Sequence, residues 1–273
     1  MTFKPRMVAL DIDGTLFTNV PSTGEVEEEI RPVVIEAVRR AYDAGAHIVL
    51  ATGRSTFGIT HVWDMLGLPP DGSAQVLAVA SNGSVTLRYP PVEVRSTTTF
   101  DAREIVGMLL EEVPNAAVAV EEVGVGYRIN RPFPEGEITG RMVLQTVDEL
   151  VAEPVTRVII RDPHSSEEEF LALAEKLGLQ GTNYFIGWTA WLDIAPEGIS
   201  KASALSEVAA ELGVAQADVL AIGDGRNDVE MLRWAGRGVA MGQAPLEVQE
   251  SADFVTETVR NDGVARELDR WFP

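Results

Sequence analysis

Apolar residues fall into two alternating patterns along this chain. Short unbroken runs at Met7–Leu10, His47–Ala51 and Val76–Ala80 read as strands buried on both faces. Between the first two, Ile30, Val33, Val34, Ala37, Val38 and Ala41 recur at helical spacing, and Gly45 supplies a stop. A second helix is predicted over Ser55–Leu66. Buried strands joined by amphipathic helices predict a parallel sheet covered on both faces. The end of the chain repeats this grammar. A helix from Ser200 turns Ala202, Leu205, Val208, Ala209 and Leu212 inward, and Gly213 closes it. A strand at Val219–Ile222, a helix around Asp228–Trp234, strands at Gly238–Met241 and Phe254–Thr256, and a helix over Val264–Trp271 follow.

The middle has a different pattern. Asn82-Gly83 is a two-residue hairpin signal between Val76–Ala80 and Val85–Tyr89. Beyond it, helices are predicted over Ala102–Val113, Ile138–Val151 and Glu167–Leu177. Strands are predicted at Ala117–Glu121, Tyr127–Asn130 and Thr156–Arg161, with a paired segment through Tyr184–Ile194. Adjacent strands with no helix between them imply an antiparallel sheet. Tyr184, Phe185, Trp188 and Trp191 form an aromatic cluster that reads as core. The expectation is an α/β fold: a discontinuous parallel-sheet core, 1–87 and 189–273, with an α+β domain inserted over 88–188.

Composition narrows the function. The 273 residues are 45% hydrophobic and 23% charged, which suits one large domain or two small ones and argues against disorder. With 42 acidic residues against 22 basic, the net charge is −20. A chain this acidic is repelled by a nucleic-acid backbone or an anionic membrane, so neither is expected as a bulk partner. The absence of cysteine excludes disulfides, thiolate metal sites and cysteine nucleophiles. His47, His61 and His164 show no ligand-pair spacing. No stretch approaches the roughly 18 apolar residues of a membrane span, and the apolar run at the start is too short for a signal peptide. A cytoplasmic location is therefore the default expectation.

Candidate chemistry sits at strand ends. Asp11-Ile12-Asp13-Gly14-Thr15 follows the first strand, on the edge where ligands bind in open parallel sheets. In extended chain Asp11 and Asp13 point to the same side, and Gly14 permits a sharp turn. Alone, the pentapeptide could equally be a solvated acidic turn. Gly223-Asp224-Gly225-Arg226-Asn227-Asp228 also follows an apolar strand, and alone could be a turn with Asp228 capping a helix. Two such segments on one sheet edge gather carboxylates that repel one another unless a cation sits among them, and their hard oxygens suit Mg2+. Thr52-Gly53-Arg54-Ser55 opens a helix after the second strand, as an anion site or as an ordinary helix cap. Lys201 begins the helix after the insertion. A lone lysine there is usually solvated, yet a cation disfavours a helix N-terminus unless an anion offsets it.

In order and strand-end placement, Asp11–Thr15, Thr52, Lys201 and Gly223–Asp228 resemble the four motifs of the haloacid dehalogenase superfamily. The resemblance extends to its Cof-like sugar-phosphatase branch, through Ala51-Thr52-Gly53-Arg54, Ser81-Asn82-Gly83, Pro196–Lys201, Gly223–Asp228 with Met231, and Asp262-Gly263-Val264-Ala265. It implies a Rossmann-like parallel-sheet core carrying an inserted α+β cap of B type (C2). One departure stands out: after Ala240-Met241-Gly242 the family usually has Asn, and this chain has Gln243. The resemblance further implies a Mg2+-dependent phosphatase of small phosphorylated metabolites. Asp11 would be the nucleophile and Asp13 the general acid and base. The metal would be held by Asp11, Asp13 through its carbonyl, Asp224 and Asp228, and phosphate by Thr52, Gly53, Lys201 and Asn227. A phosphomutase using the same aspartyl phosphate is the alternative. A non-catalytic phospho-acceptor module ranks lower, since Asp13 and a whole inserted domain have no purpose in it.

Overall fold

The computed structural model describes residues 3–19, 26–70, 74–134, 136–162, 165–166, 169, 172–173, 176, 182–186 and 191–273, with backbone alone at 19, 26–27 and 182–186. The run Met7–Leu10 forms strand β1, enclosed along its whole length. Strands β2 (Thr18–Asn19) and β3 (Val26–Glu27) make a small antiparallel pair. Then come β4 (His47–Ala51), β5 (Val76–Ala80), β6 (Val85–Tyr89) and β7 (Glu93–Thr97). The middle supplies β8 (Ala117–Glu122), β9 (Gly126–Ile129), β10 (Arg141–Leu144), β11 (Val158–Arg161), β12 (Thr182–Ile186) and β13 (Trp191–Pro196). The chain ends with β14 (Val219–Gly223), β15 (Arg237–Ala240) and β16 (Phe254–Val255).

The first sheet runs in the order β16-β15-β14-β1-β4-β5-β6-β7, parallel from β16 to β5 and antiparallel beyond. Alternate residues of β1 feed opposite layers. Val8 and Leu10 pack beneath the Pro32–Asp43, Thr60–Leu66 and Gly263–Leu268 helices, and Met7 and Ala9 beneath the Lys201–Glu211 and Val229–Trp234 helices. Leu10 lies opposite both Leu50 and Ile222, so the carboxyl ends of β1, β4 and β14 finish level. That alignment makes the site. The architecture is the expected α/β core with a second, smaller sheet.

The second sheet, β10-β9-β8-β11-β13-β12, is antiparallel except where β10 joins β9. The expected Ile138–Val151 helix is instead strand β10 and a single turn of helix, Val147–Leu150. Gly140, at φ 98°, turns the chain against Gly126, and Thr146 starts the short helix with a capping box to Glu149. The apolar spacing there mimicked a helix across a real break. The expected Ser55–Leu66 helix is likewise split into a 3₁₀ turn, Thr56–Gly58, and a helix over Thr60–Leu66. Between β5 and β6 lies a four-residue connection, Ser81–Ser84, in place of the two-residue turn. Strand β7 pairs within the first sheet and β13 within the second, although the anticipated limits at 87/88 and 188/189 assign them the other way. Of the expected Glu167–Leu177 helix, Glu169, Ala172, Leu173 and Lys176 are described and are helical. Its other residues and Trp188 lie outside the described residues, as do the side chains of Tyr184 and Phe185. Trp191 meets Phe133 edge-on at 6.2 Å. Among the described residues no helix is long and apolar enough to cross a membrane.

Candidate active site

Asp11 stands one residue beyond β1, its backbone N–H donating to the Ile222 carbonyl on β14 at 3.0 Å. Its carboxylate is buried against Lys201, whose Nζ donates to Asp11 Oδ1 at 2.7 Å and to Asp228 Oδ1 at 2.6 Å. Lys201 and Asp228 are wholly enclosed, both 0% exposed. Lys201 opens its helix immediately after the Ser200 cap, so the two carboxylates supply the anion that a cation at this position requires. The other oxygen of Asp228 accepts from the N–H groups of Asp224 and Gly225, both at 2.9 Å, and this shapes the loop after β14.

Asp11, Asp224 and Asp228 each present a carboxylate oxygen within 4.8 Å of the others. Burial and the neighbouring Asp228 push Asp11 up to about 7 against the pull of Lys201. Burial, Asp11 and Asp228 raise Asp224 in the same direction. For Lys201 burial opposes the charge, but Asp11 and Asp228 outweigh it and hold its pKa above the ordinary lysine value. One buried ammonium therefore faces three buried carboxylates. Hard oxygen donors with an unmet demand for positive charge are the donor set that a small divalent cation takes.

Gln243 completes the wall. Its Nε2 donates to the Gly14 carbonyl at 2.6 Å and reaches Asp224 Oδ2 at 3.3 Å, while Oε1 accepts from the Val259 N–H at 2.9 Å. The glutamine thus ties together the two acidic loops, although the family's shorter residue is absent. Gly14 is forced: at φ 84°, an added Cβ would sit 2.0 Å from Asp224 Oδ2.

The Asp13 carboxylate is close enough to act on Asp11 electrostatically but has a partner of its own. It lies outside the acidic group and is held as a fork by Arg54, Nε to Oδ2 at 2.8 Å and Nη2 to Oδ1 at 2.7 Å. Arg54 also donates to Glu28 at 2.7 Å and lies over the Phe17 ring. The Asp13 side chain keeps 34% exposure, so it borders open space. Thr52 is buried and accepts from the Arg54 N–H at 3.1 Å. Gly53 lies against Asn82 and Asn227, where an added Cβ would come 3.2 Å from Asn82 Oδ1 and 3.5 Å from Asn227 Nδ2. The eight anticipated residues therefore form three adjoining groups: Asp11, Asp224, Asp228 and Lys201; Thr52, Gly53 and Asn227; and Asp13 apart, on Arg54.

Sequence reasoning missed the residues that link the sheets. Asn82 bonds Asn227 on one side and Asp193 of β13 on the other. Arg157, immediately before β11, grips Asp193 and donates to the Tyr127 hydroxyl at 3.3 Å. Ser81 donates to Glu121 of β8, and the Gly124 N–H donates to Thr56 Oγ1 at 2.8 Å. Burial raises Glu121 above the ordinary carboxylate range in spite of Arg157, and raises Tyr127 to about 12. Only the Ser81-Asn82-Gly83 run carried a signal for these contacts.

The model of the haloacid dehalogenase-like hydrolase family matches residues 8–268. A 5-amino-6-(5-phospho-D-ribitylamino)uracil phosphatase of Bacillus subtilis strain 168 is 28% identical over 269 residues, covering 97% of this chain and 95% of that protein. A phosphoglycolate phosphatase of Methanoculleus marisnigri is 28% identical over 276 residues, covering 98% and 97%. Among solved structures, BT1666 of Bacteroides thetaiotaomicron, from the haloalkanoate enzyme superfamily, superposes with a TM-score of 0.77 at 28% identity, over 99% of this chain and 96% of that one. The subclass IIB sugar phosphatase BT4131 shares the fold, with a TM-score of 0.79 at 22% identity over 97% and 98%. With strand-end acids, a buried lysine and an inserted sheet in the order its motifs require, the chain belongs to the haloacid dehalogenase-like hydrolase family, as one of its phosphatases.

Proposed function

We propose that the chain is a Mg2+-dependent phosphomonoester hydrolase that acts on a small phosphorylated metabolite, a sugar phosphate or similar ester, through an aspartyl-phosphate intermediate. The observation that carries this reading is the buried cluster of Asp11, Asp224 and Asp228 around Lys201. We assign the metal to Asp11, Asp224 and the Asp13 carbonyl, with Asp228 in support. Bound there, Mg2+ would offset the charge that phosphate and carboxylates share, so that an anionic nucleophile can approach phosphorus.

In this reading an Asp11 oxygen forms the bond to phosphorus as the ester P–O bond breaks, dividing one displacement into two. Asp13 gives its proton to the departing oxygen. It then takes one from the water that attacks the aspartyl phosphate, which returns Asp11 as carboxylate and releases phosphate. Arg54 holds Asp13 in one orientation at the exposed edge of the site. Lys201, Thr52, the Gly53 N–H and Asn227 would bind the remaining phosphate oxygens, where charge is greatest in the transition state. The second sheet, which meets the first through Ser81, Asn82 and Thr56, would exclude water and select the leaving group.

The test is phosphate release from a panel of sugar phosphates, pyridoxal phosphate and nucleotides. Release is expected with Mg2+, lost in excess chelator and regained when Mg2+ is restored. Full activity in excess chelator contradicts the metal assignment. Return of the phosphoryl group to a sugar without free phosphate would make the enzyme a mutase.

A further inference from the structure

The connection between β5 and β6 does more than reverse the chain. Ser81 and Asn82 both adopt the left-handed region, at φ 51° and 52°. Non-glycine residues hold that conformation where their surroundings over-determine it. Asn82 is buried, and both ends of its amide are engaged. Nδ2 donates to Asp193 Oδ2 at 2.8 Å, and Oδ1 accepts from Asn227 Nδ2 at 2.9 Å. Behind Asp193, Arg157 donates from Nε to Oδ1 at 2.7 Å and from Nη2 to Oδ2 at 2.6 Å, and both side chains are only 6% exposed.

The chemistry of these groups permits one order only. A guanidinium donates and cannot accept, and a carboxylate accepts and cannot donate. Asn82 must therefore turn its NH2 to Asp193 and its oxygen to Asn227. Asn227, facing that oxygen, must in turn present its own NH2. An isolated asparagine amide has two nearly isosteric settings, and that of Asn227 is chosen at Asp193, two side chains along the chain of bonds. Asp193 lies on β13 of the second sheet and Arg157 just before β11 of the same sheet, while Asn82 connects β5 and β6 of the first. The chain of bonds therefore exists only with the two sheets in this mutual position.

We propose that Arg157, Asp193 and Asn82 form a directional positioning relay, through which the inserted domain sets the amide of Asn227 beside the phosphate-binding loop. The order of bonds stands by itself, and its effect on turnover rests on the function proposed above. None of the three residues touches the reacting atoms. They act through Asn227, which is fixed for phosphate when the inserted domain is seated and loses its orientation when the domain lifts.

Reciprocal exchange tests the relay. Asp193→Asn confronts Arg157 or Asn82 with a second donor, and Asn82→Asp sets two carboxylates face to face. In the double variant the acidic group at 82 accepts from both neighbours, so Asn227 again presents its NH2. The amide oxygen at 193 keeps the Arg157 Nε bond, and the bond from Nη2 is lost because Oδ2 was shared by Nη2 and Asn82. In ester-free protein, the side-chain amide resonances of Asn227 are expected to shift or split in each single variant and to move back toward the wild-type positions in the double. With p-nitrophenyl phosphate, kcat should fall about 10- to 100-fold in each single variant, and KM should change less. In the double, which regains the order of bonds to Asn227 but not the full Arg157 fork, kcat should recover in part. Arg157→Lys, which keeps a donor but loses the fork, replaces any single variant that fails to fold and should shift the same resonances. Unmoved Asn227 resonances in the single variants, a double variant no closer to wild type than the singles, or unchanged kcat in both singles overturns the relay. If the wild-type protein releases no phosphate from any ester, the proposed function fails and the amide resonances alone decide the relay.

Discussion

A lysine ammonium enclosed without water is stable only if opposite charge reaches it, and Lys201 has two carboxylates at hydrogen-bond distance. The same logic applied to Glu121 gives a different answer. It accepts from Ser81 and feels Arg157, yet burial dominates and raises its pKa above the ordinary value of 4.5. The folded protein therefore binds this proton more tightly than the unfolded chain. Glu121 costs nothing below the unfolded pKa, and stability is lost as pH rises through the higher folded value. Glu121→Gln cannot ionise and still accepts from Ser81. Its melting temperature should match wild type near pH 4 and exceed it by a few degrees at pH 7–8. Equal pH dependence in the two proteins would contradict the assignment. At this scale Asp11, Asp224, Asp228 and Lys201 were legible in sequence because each sits at a strand end or helix start. The fork between Arg54 and Asp13 was not, since it joins positions 41 apart. Nor was Arg157 with Asp193, because single charges in apolar strands read as solvated faces until the partner strand is known.

Elements hold these residues by close approach. The turn carrying Asn82 packs on the start of the Lys201–Glu211 helix, where Gly83 lies at φ 107° and an added Cβ would stand 2.2 Å from the Ser200 carbonyl oxygen. Ser200 caps that helix, so displacing it displaces Lys201. Gly83→Ala should cost roughly 2–4 kcal/mol from backbone strain and overpacking together, with a larger relative loss of turnover. Gly45 is the control: at φ 88° it has a similar backbone but nothing within 4 Å of an added Cβ. Gly45→Ala should lose about 1 kcal/mol of stability and keep full turnover. Equal turnover in the two variants, measured well below their melting temperatures, would show that the contact does not place Lys201. The strands at the site were legible as unbroken apolar runs. The β10 region was not, because Ile138 and Met142, and then Val143, Val147, Leu150 and Val151, keep a helical spacing across Gly140 and the Thr146 cap.

Over the whole molecule, the parallel order of β14, β1, β4 and β5 gathers sequence-distant loops on one edge, and the inserted sheet closes over them through buried polar contacts. The insertion itself was legible from the change of grammar near the hairpin. Its limits were blurred because β7 continues the first sheet and β13 enters the second without any shift in composition. The site shares the sign of the chain's net charge of −20, since Lys201 faces Asp11, Asp224 and Asp228, and Arg54 pairs with Asp13 and Glu28. The account depends most on the separation of Asp11 from Asp13, one beside Lys201 and the other on Arg54. Rapid mixing with p-nitrophenyl phosphate tests it, because that leaving group scarcely needs a proton while the attacking water still needs a base. Asp13→Asn should release a burst of nitrophenolate, at most one per chain, followed by slow turnover. Asp11→Asn should show no burst, since an amide is a poor nucleophile. Enzyme-bound phosphate accumulating in Asp11→Asn, and never in Asp13→Asn, would contradict the account.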